Sequence, residues 1–198
     1  PAIAAVILEG VALDDGALVV DPFCGSGTVL IEARRRGLAS TGSDINPVAL
    51  RVARVKADAR DDASRAAFNA RLDAVVAASK ERVRARAESR APVSRAIAQR
   101  FEGHVLRELG GLYAEIEAVD DERDRRALEV VLSAIVVKVS KQRADTDARD
   151  RDDAAGGRRI GRFIPTEIFA KKGKELVERW AALYAACPPS SPEPTLLL

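Results

Sequence analysis

Methionine is absent from these 198 residues, even at position 1, and histidine and tryptophan occur once each, as His104 and Trp180. A chain without an initiating Met is expected to be a piece of a longer one. Cysteine is almost as scarce. Cys24 and Cys187 lie too far apart for paired zinc ligands and are too few for a disulfide framework, so no metal is expected and a reducing, cytoplasmic setting fits best. No apolar run approaches the roughly 20 residues that span a bilayer, and the start of the chain lacks the basic, apolar, small-residue order of a signal peptide, so no membrane partner is expected. Charge of one sign is lacking too: 32 Lys and Arg face 30 Asp and Glu, a formal net of +2. An overall electrostatic grip on nucleic acid is thereby excluded, and any such contact must be local.

What is present is a hydrophobic share of 47%, enough for one substantial core with an elaboration. Ile3, Val6, Ile7 and Val11 recur at helical spacing, and Asp14-Asp15-Gly16 reads as a turn. Residues 17–20 form a compact, β-branched apolar run of the kind found in buried parallel strands. A glycine loop follows, then a helix over 28–36 closed by Gly37, a second strand over 41–45, and a helix opened by Asn46-Pro47.

Beyond about residue 57 the pattern turns Ala-rich, charge-laced and helical. Helices are predicted over 61–90, through the stripe Leu106, Leu109, Leu112, Tyr113 and Ile116, and over 127–139. The last of these is apolar nearly all round and is expected to be the best-buried helix of the insertion. Residues 141–157 have the composition of a loop. Thr166 is placed to cap a final helix with the stripe Phe169, Leu176, Val177, Trp180, Leu183 and Tyr184, after which 188–194 reads as a linker and 195–198 as the start of a strand. The expected organisation is a nucleotide-binding half over 1–59, a helical insertion over 60–187, and a linker with the next core strand over 188–198.

The chemistry lies in Asp21-Pro22-Phe23-Cys24-Gly25-Ser26-Gly27-Thr28. Gly25 and Gly27 let backbone amides approach a ligand at the amino end of a helix, where N–H groups lack intrahelical partners. Asp21, ending the first strand, can meet an ammonium group. Asp44, about 20 residues on, is placed to accept hydrogen bonds from ribose hydroxyls. Dinucleotides and nucleoside triphosphates fit less well, because the third glycine of Gly-x-Gly-x-x-Gly and any Gly-Lys-Ser/Thr are missing. Cys24 could be a nucleophile, but the setting favours an inert small residue.

The block Asp21 to Thr28 closely resembles the first motif of class I methyltransferases that modify exocyclic amino groups of bases, namely the N4-cytosine and N6-adenine DNA enzymes and the related guanosine-N2 RNA enzymes. The resemblance continues through Glu32-Ala33, Gly37, Gly42 and Asp44-Ile45-Asn46-Pro47, covering 18–56. It implies an α/β, Rossmann-like core with an incomplete parallel sheet and a large α-helical insertion, and S-adenosylmethionine as cofactor. It also implies that Phe23 packs on the cofactor, Asp44 holds its ribose and Ile45 flanks its adenine.

The same family holds its target amine with an Asp/Asn/Ser-Pro-Pro-aromatic motif, and none occurs here, so no catalytic residue is assigned. Pro188-Pro189 sits between Cys187 and Ser190 without the aromatic that stacks on an extruded base. The expected reaction is methylation of a DNA base amine, with RNA guanosine N2 as the rival substrate and a silent or split cofactor-binding subunit as the rival of another class. A truncated sheet would expose apolar edges and favour self-association or a complementing chain. Lys141, Arg143, Arg158, Arg159 and Arg162 form the basic concentration singled out for nucleic-acid contact, offset by neighbouring aspartates.

Overall fold

The computed structural model describes residues 2–11, 13–14, 16–87, 93–141 and 160–198. These fall into two compact units, one of residues 1–66 and 176–198 and the other of residues 67–175. The division falls inside two long helices, so 60–66 and 176–187, read from sequence as part of the insertion, belong to the unit that carries the sheet.

In the first unit, helix α1 (Ala2–Gly10) precedes strand β1 (Leu18–Asp21), helix α2 (Thr28–Arg35), strand β2 (Ala39–Ser43) and helix α3 (Pro47–Lys56). Strand β3 (Thr195–Leu197) completes a parallel sheet in the order β1-β2-β3. Leu18 pairs with Ala39 and Asp21 with Gly42, while Thr41 pairs with Thr195 and Ser43 with Leu197. The second strand begins two residues earlier than its composition predicts and ends at Ser43, which leaves Asp44 and Ile45 in the loop beyond it. Its small residues are the reason. A Cβ on Gly42 would stand 2.7 Å from Leu30 and 2.9 Å from Cys24, so a strand without bulk is what lets α2 and the loop close over the sheet. Leu30, Cys24 and Leu50 form a buried cluster there, joined by Leu196 of β3. At the sheet's edge, Leu18 and Val20 of β1 are 57% and 62% exposed.

Helices α4 (Asp62–Arg84) and α8 (Ile164–Ala186) enter the first unit by one end each. Trp180 is fully buried and its indole N–H donates to the Val55 carbonyl at 2.7 Å. The guanidinium of Arg60, itself buried and paired with Asp58 at 2.8 Å, lies 3.9 Å from the Trp180 ring centroid. A buried arginine stacked on indole and held by a carboxylate is a satisfied charge. Tyr184, read as part of the buried stripe, is instead exposed, with Arg65 5.7 Å from its ring.

The second unit packs the rest of α4 with α5 (Arg95–Ala98), α6 (Gly103–Glu117), α7 (Glu122–Val136), a 3-10 turn (Val137–Val139) and the first part of α8. The best-buried helix is α6, which buries Val105, Glu108, Leu109, Gly110, Gly111, Leu112 and Ile116. The segment 127–139 is not buried all round: it hides one stripe through Ala127, Leu128, Val131, Ile135 and Val139, and Val137 is 56% exposed. Apolar count alone overstated its burial, because valines between the stripe positions point outward at helical spacing. Asp121 caps α7 by accepting the Asp124 N–H at 2.9 Å, and Arg71 pairs with Asp124.

Thr166 does not cap α8. It lies in the first turn, fully buried, and its hydroxyl donates to Glu108 at 2.6 Å. Glu108 also accepts the N–H groups of Thr166 and Phe163 at 3.0 and 3.1 Å, so one buried carboxylate satisfies the start of the helix from across the unit.

Candidate functional site

The carboxyl ends of β1 and β2 open onto one loop cluster. Asp21 accepts the Phe23 N–H at 3.2 Å, which turns the chain sharply after the strand. Gly25 has φ +50° with nothing within 4 Å of where a Cβ would be, whereas Gly27, at φ +78°, abuts Ala53 of α3, with 2.9 Å between the methyl and a hypothetical Cβ. One glycine therefore leaves open space at the mouth of the loop, and the other lets α2 and α3 meet. Gly27 caps α2 without any side-chain acceptor, so the amino end of that helix is not closed by its own chain.

Asp44 ties the two strand ends together. One carboxylate oxygen accepts the Gly25 N–H at 2.9 Å and the other the Asn46 N–H at 2.8 Å. A carboxylate offers about four lone-pair positions, so two remain for a ligand diol. Asn46 then caps α3 by accepting the Val48 N–H at 3.0 Å, with Pro47 at the first helical position.

Ile45 follows Asp44 directly and Phe23 lies in the loop after β1, and the two stand 96% and 87% exposed. Large apolar side chains held this far into solvent beside a glycine loop are suited to gripping a flat aromatic ligand. Pro22 lies at the turn and its carbonyl accepts the Ser43 hydroxyl at 3.2 Å. Thr28 is the first residue of α2.

Cys24 points the other way. Its side chain is buried with Leu30 and Leu50, and its N–H donates to the Ser43 carbonyl at 2.9 Å. Burial pushes the thiol upward, and the carboxylates of Asp21 and Asp44 push it further. The side chain is a protonated core residue, so any ligand contact from position 24 comes through backbone. The same two carboxylates give the site a negative field suited to a cationic ligand.

Lys56 was not legible as a site residue. Its ammonium donates to the Ser26 carbonyl and hydroxyl, both at 3.0 Å, fastening the tip of the loop to the end of α3. Burial, then the nearby Arg179, draws its pKa down. Thirty residues separate the partners, and no motif spacing signals such a contact.

Of the basic residues singled out from sequence, Arg143, Arg158 and Arg159 lie outside the described residues. Lys141 reaches back to the α5 turn, donating to the carbonyl of Gln99 at 3.4 Å. Arg162 lies elsewhere in the second unit, on the wall of a cleft, where it donates to the Val83 carbonyl at 3.1 Å. Among the described residues no helix is long and apolar enough to cross a membrane, and no three His, Cys, Asp or Glu side chains gather as a metal site.

The model of the RMKL-like, methyltransferase domain family matches residues 1–109. No curated protein and no solved structure matches the chain.

Proposed function

We propose that this chain, which belongs to the RMKL-like methyltransferase domain family, binds S-adenosylmethionine at the β1 and β2 loop ends and serves methyl transfer to an exocyclic amino group of a nucleic-acid base. The observation that carries the reading is the Asp44 carboxylate, locked by Gly25 and Asn46 with acceptor capacity to spare, with Phe23 and Ile45 exposed in the loops that follow β1 and β2.

When bound, the cofactor supplies an electrophilic methyl group on a sulfonium centre. The chain's own residues do the holding. Asp44 accepts from the ribose hydroxyls, Phe23 and Ile45 cover the adenine, and Asp21 with the open amino end of α2 receives the charged amino-acid tail, its ammonium on the carboxylate and its carboxylate on the amides. Pro22, Gly25, Ser26 and Thr28 shape the wall around it. Rigid placement of this kind lowers the barrier by fixing geometry before reaction.

For the substrate we take RNA ahead of DNA, a reading supported by the guanosine-N2 RNA methyltransferases that the family includes. The guanosine exocyclic amine is therefore placed ahead of the cytosine and adenine amines of DNA. The test is calorimetric titration of the folded chain with S-adenosylmethionine and S-adenosylhomocysteine beside Asp44→Ala. Saturable binding that the variant loses is expected, and a folded chain that binds neither compound overturns the reading.

A further inference from the structure

The second unit contains a cleft of about 570 Å³ that no part of the cofactor argument uses. It lies among the end of α4, one face of α6 and the segment before α8, all within residues 67–175. Arginine dominates its charge: Arg82, Arg86, Arg107 and Arg162 line it. Arg82 is paired with Glu115. Among the described residues, Arg107 donates to the Gly103 carbonyl of its own helix, at 3.3 Å, and Arg162 to the Val83 carbonyl. Among the described residues, Arg86, Arg107 and Arg162 have no carboxylate partner.

The one carboxylate in the wall, Glu108, makes no ion pair with them. Both oxygens of Glu108 are taken by Thr166 and Phe163, and the residue is buried. His104 is also committed, its Nε2 donating to the Ile160 carbonyl at 2.6 Å. What the cleft offers a ligand is therefore three guanidinium groups between apolar patches at Val83 and Ile160, over glycines at 111 and 161.

The backbone at its rim is held in a costly shape. Arg86 has φ +52° and Phe163 φ +69°, a region that side-chain-bearing residues rarely enter. Such a residue is strained and is held there by the structure around it, Arg86 by the hydrogen bonds that close α4. The two are the non-glycine residues with positive φ among those described, and one lies on the cleft while the other directly follows Arg162.

We infer that this cleft binds a nucleic-acid strand, its three unpaired arginines taking successive phosphates and Val83 and Ile160 receiving sugar or base. Guanidinium forks match phosphate oxygens bidentately, and three of them beside apolar Val83 and Ile160 suit a ligand that carries sugar and base as well as phosphate. The inference rests on the nucleic-acid substrate proposed above and concerns a cleft that lies within the second unit.

The test uses the full chain and a fluorophore-labelled single-stranded RNA, with anisotropy read across a salt series. Single-strand binding loses a slope of about 0.7 in log K against log salt for each phosphate contact removed, which is about five-fold in affinity at 0.1 M salt. Arg86→Gln and Arg107→Gln, both at exposed side chains, are each expected to show that loss, with Arg107→Lys recovering most of the slope. Arg95→Gln, an exposed arginine on α5 outside the cleft, is the charge-matched control and is expected to show no loss. Unchanged affinity and slope in both cleft variants overturns the inference, and so does saturable binding of inorganic phosphate by a chain that does not bind the strand. Cofactor titration of the same variants separates the two readings: a chain that binds strand through these arginines but no cofactor refutes methyl transfer alone, and the reverse refutes the cleft alone.

Discussion

The carboxylate of Asp44 accepts the backbone N–H of Gly25 at 2.9 Å, joining the loop that leaves β1 to the loop that leaves β2 across 19 positions of sequence. The acidic side chain thus shapes the glycine loop as well as being the proposed ribose acceptor. Asp44→Ala is expected to remove a ribose acceptor and free the loop together, and a hydrogen bond to a charged group contributes about 1.5–3 kcal/mol. Affinity for S-adenosylhomocysteine should fall by roughly ten-fold or more for each bond lost. Asp44→Asn, which keeps one acceptor oxygen, should fall between, and calorimetry on the three proteins checks the order.

Gly27 and Gly103 differ in what surrounds them. A Cβ on Gly27 would meet Ala53 at 2.9 Å with φ at +78°, whereas at Gly103 nothing lies within 4 Å. Gly27→Ala is expected to destabilise the first unit by about 1–3 kcal/mol, the usual range for overpacking, and to weaken cofactor binding. Gly103→Ala should be neutral or slightly stabilising, since Ala is the better helix former. Chemical denaturation of both variants reads the contrast, and equal losses would contradict it.

Within the second unit, Gly173 on α8 lets that helix lie directly on Leu72 of α4, and a methyl there would overlap the leucine side chain. Gly173→Ala is expected to cost about 1–3 kcal/mol despite the gain in helix propensity. In a Leu72→Ala background the same substitution should cost less, a coupling that a double-mutant cycle measures.

Trp180→Phe keeps most of the ring but removes the indole donor that serves the Val55 carbonyl at 2.7 Å. A buried acceptor left without its partner costs about 1–3 kcal/mol. A loss well below this in thermal unfolding would show that another group replaces the donor.

Cys24 provides the pH test. Its thiol is raised by burial and by Asp21 and Asp44, so the folded state holds the proton more tightly than the unfolded chain does. The stabilisation this represents is fully present below the unfolded thiol's pKa and is lost as pH rises through the higher folded value. Alkylation by iodoacetamide should be slow in the native protein at neutral pH and fast once it is unfolded. In an alkaline series the wild type should lose stability more steeply than Cys24→Ala, and parallel curves would contradict the assignment.

The first unit was legible because its signals are local. A compact apolar run before Asp21, two glycines beside a helix start and Asn46-Pro47 at the next one each fix backbone shape within a few residues, and the structure has β1, the loop, α2 and α3 in those places. The strand β2 was legible only in part. Ala39-Ser40-Thr41-Gly42-Ser43 carries little strand composition, and its limits follow from pairing with β1 on one side and β3 on the other. Tertiary context decides such strands more than propensity does.

By itself the sequence determined the shape of the loop, because positive φ at Gly25 and Gly27, and a carboxylate after the second strand, are demands that particular residue types meet at particular positions. Tertiary structure decided which side chains face solvent and which the core: Phe23 outward and Cys24 inward, adjacent in sequence and opposite in exposure. It alone brought Lys56 to Ser26, Trp180 to Val55, Glu108 to Thr166, and three arginines from three segments around one cleft. Periodicity marks which face of a helix is buried. What that face meets depends on contacts between residues dozens of positions apart, which only the folded chain fixes.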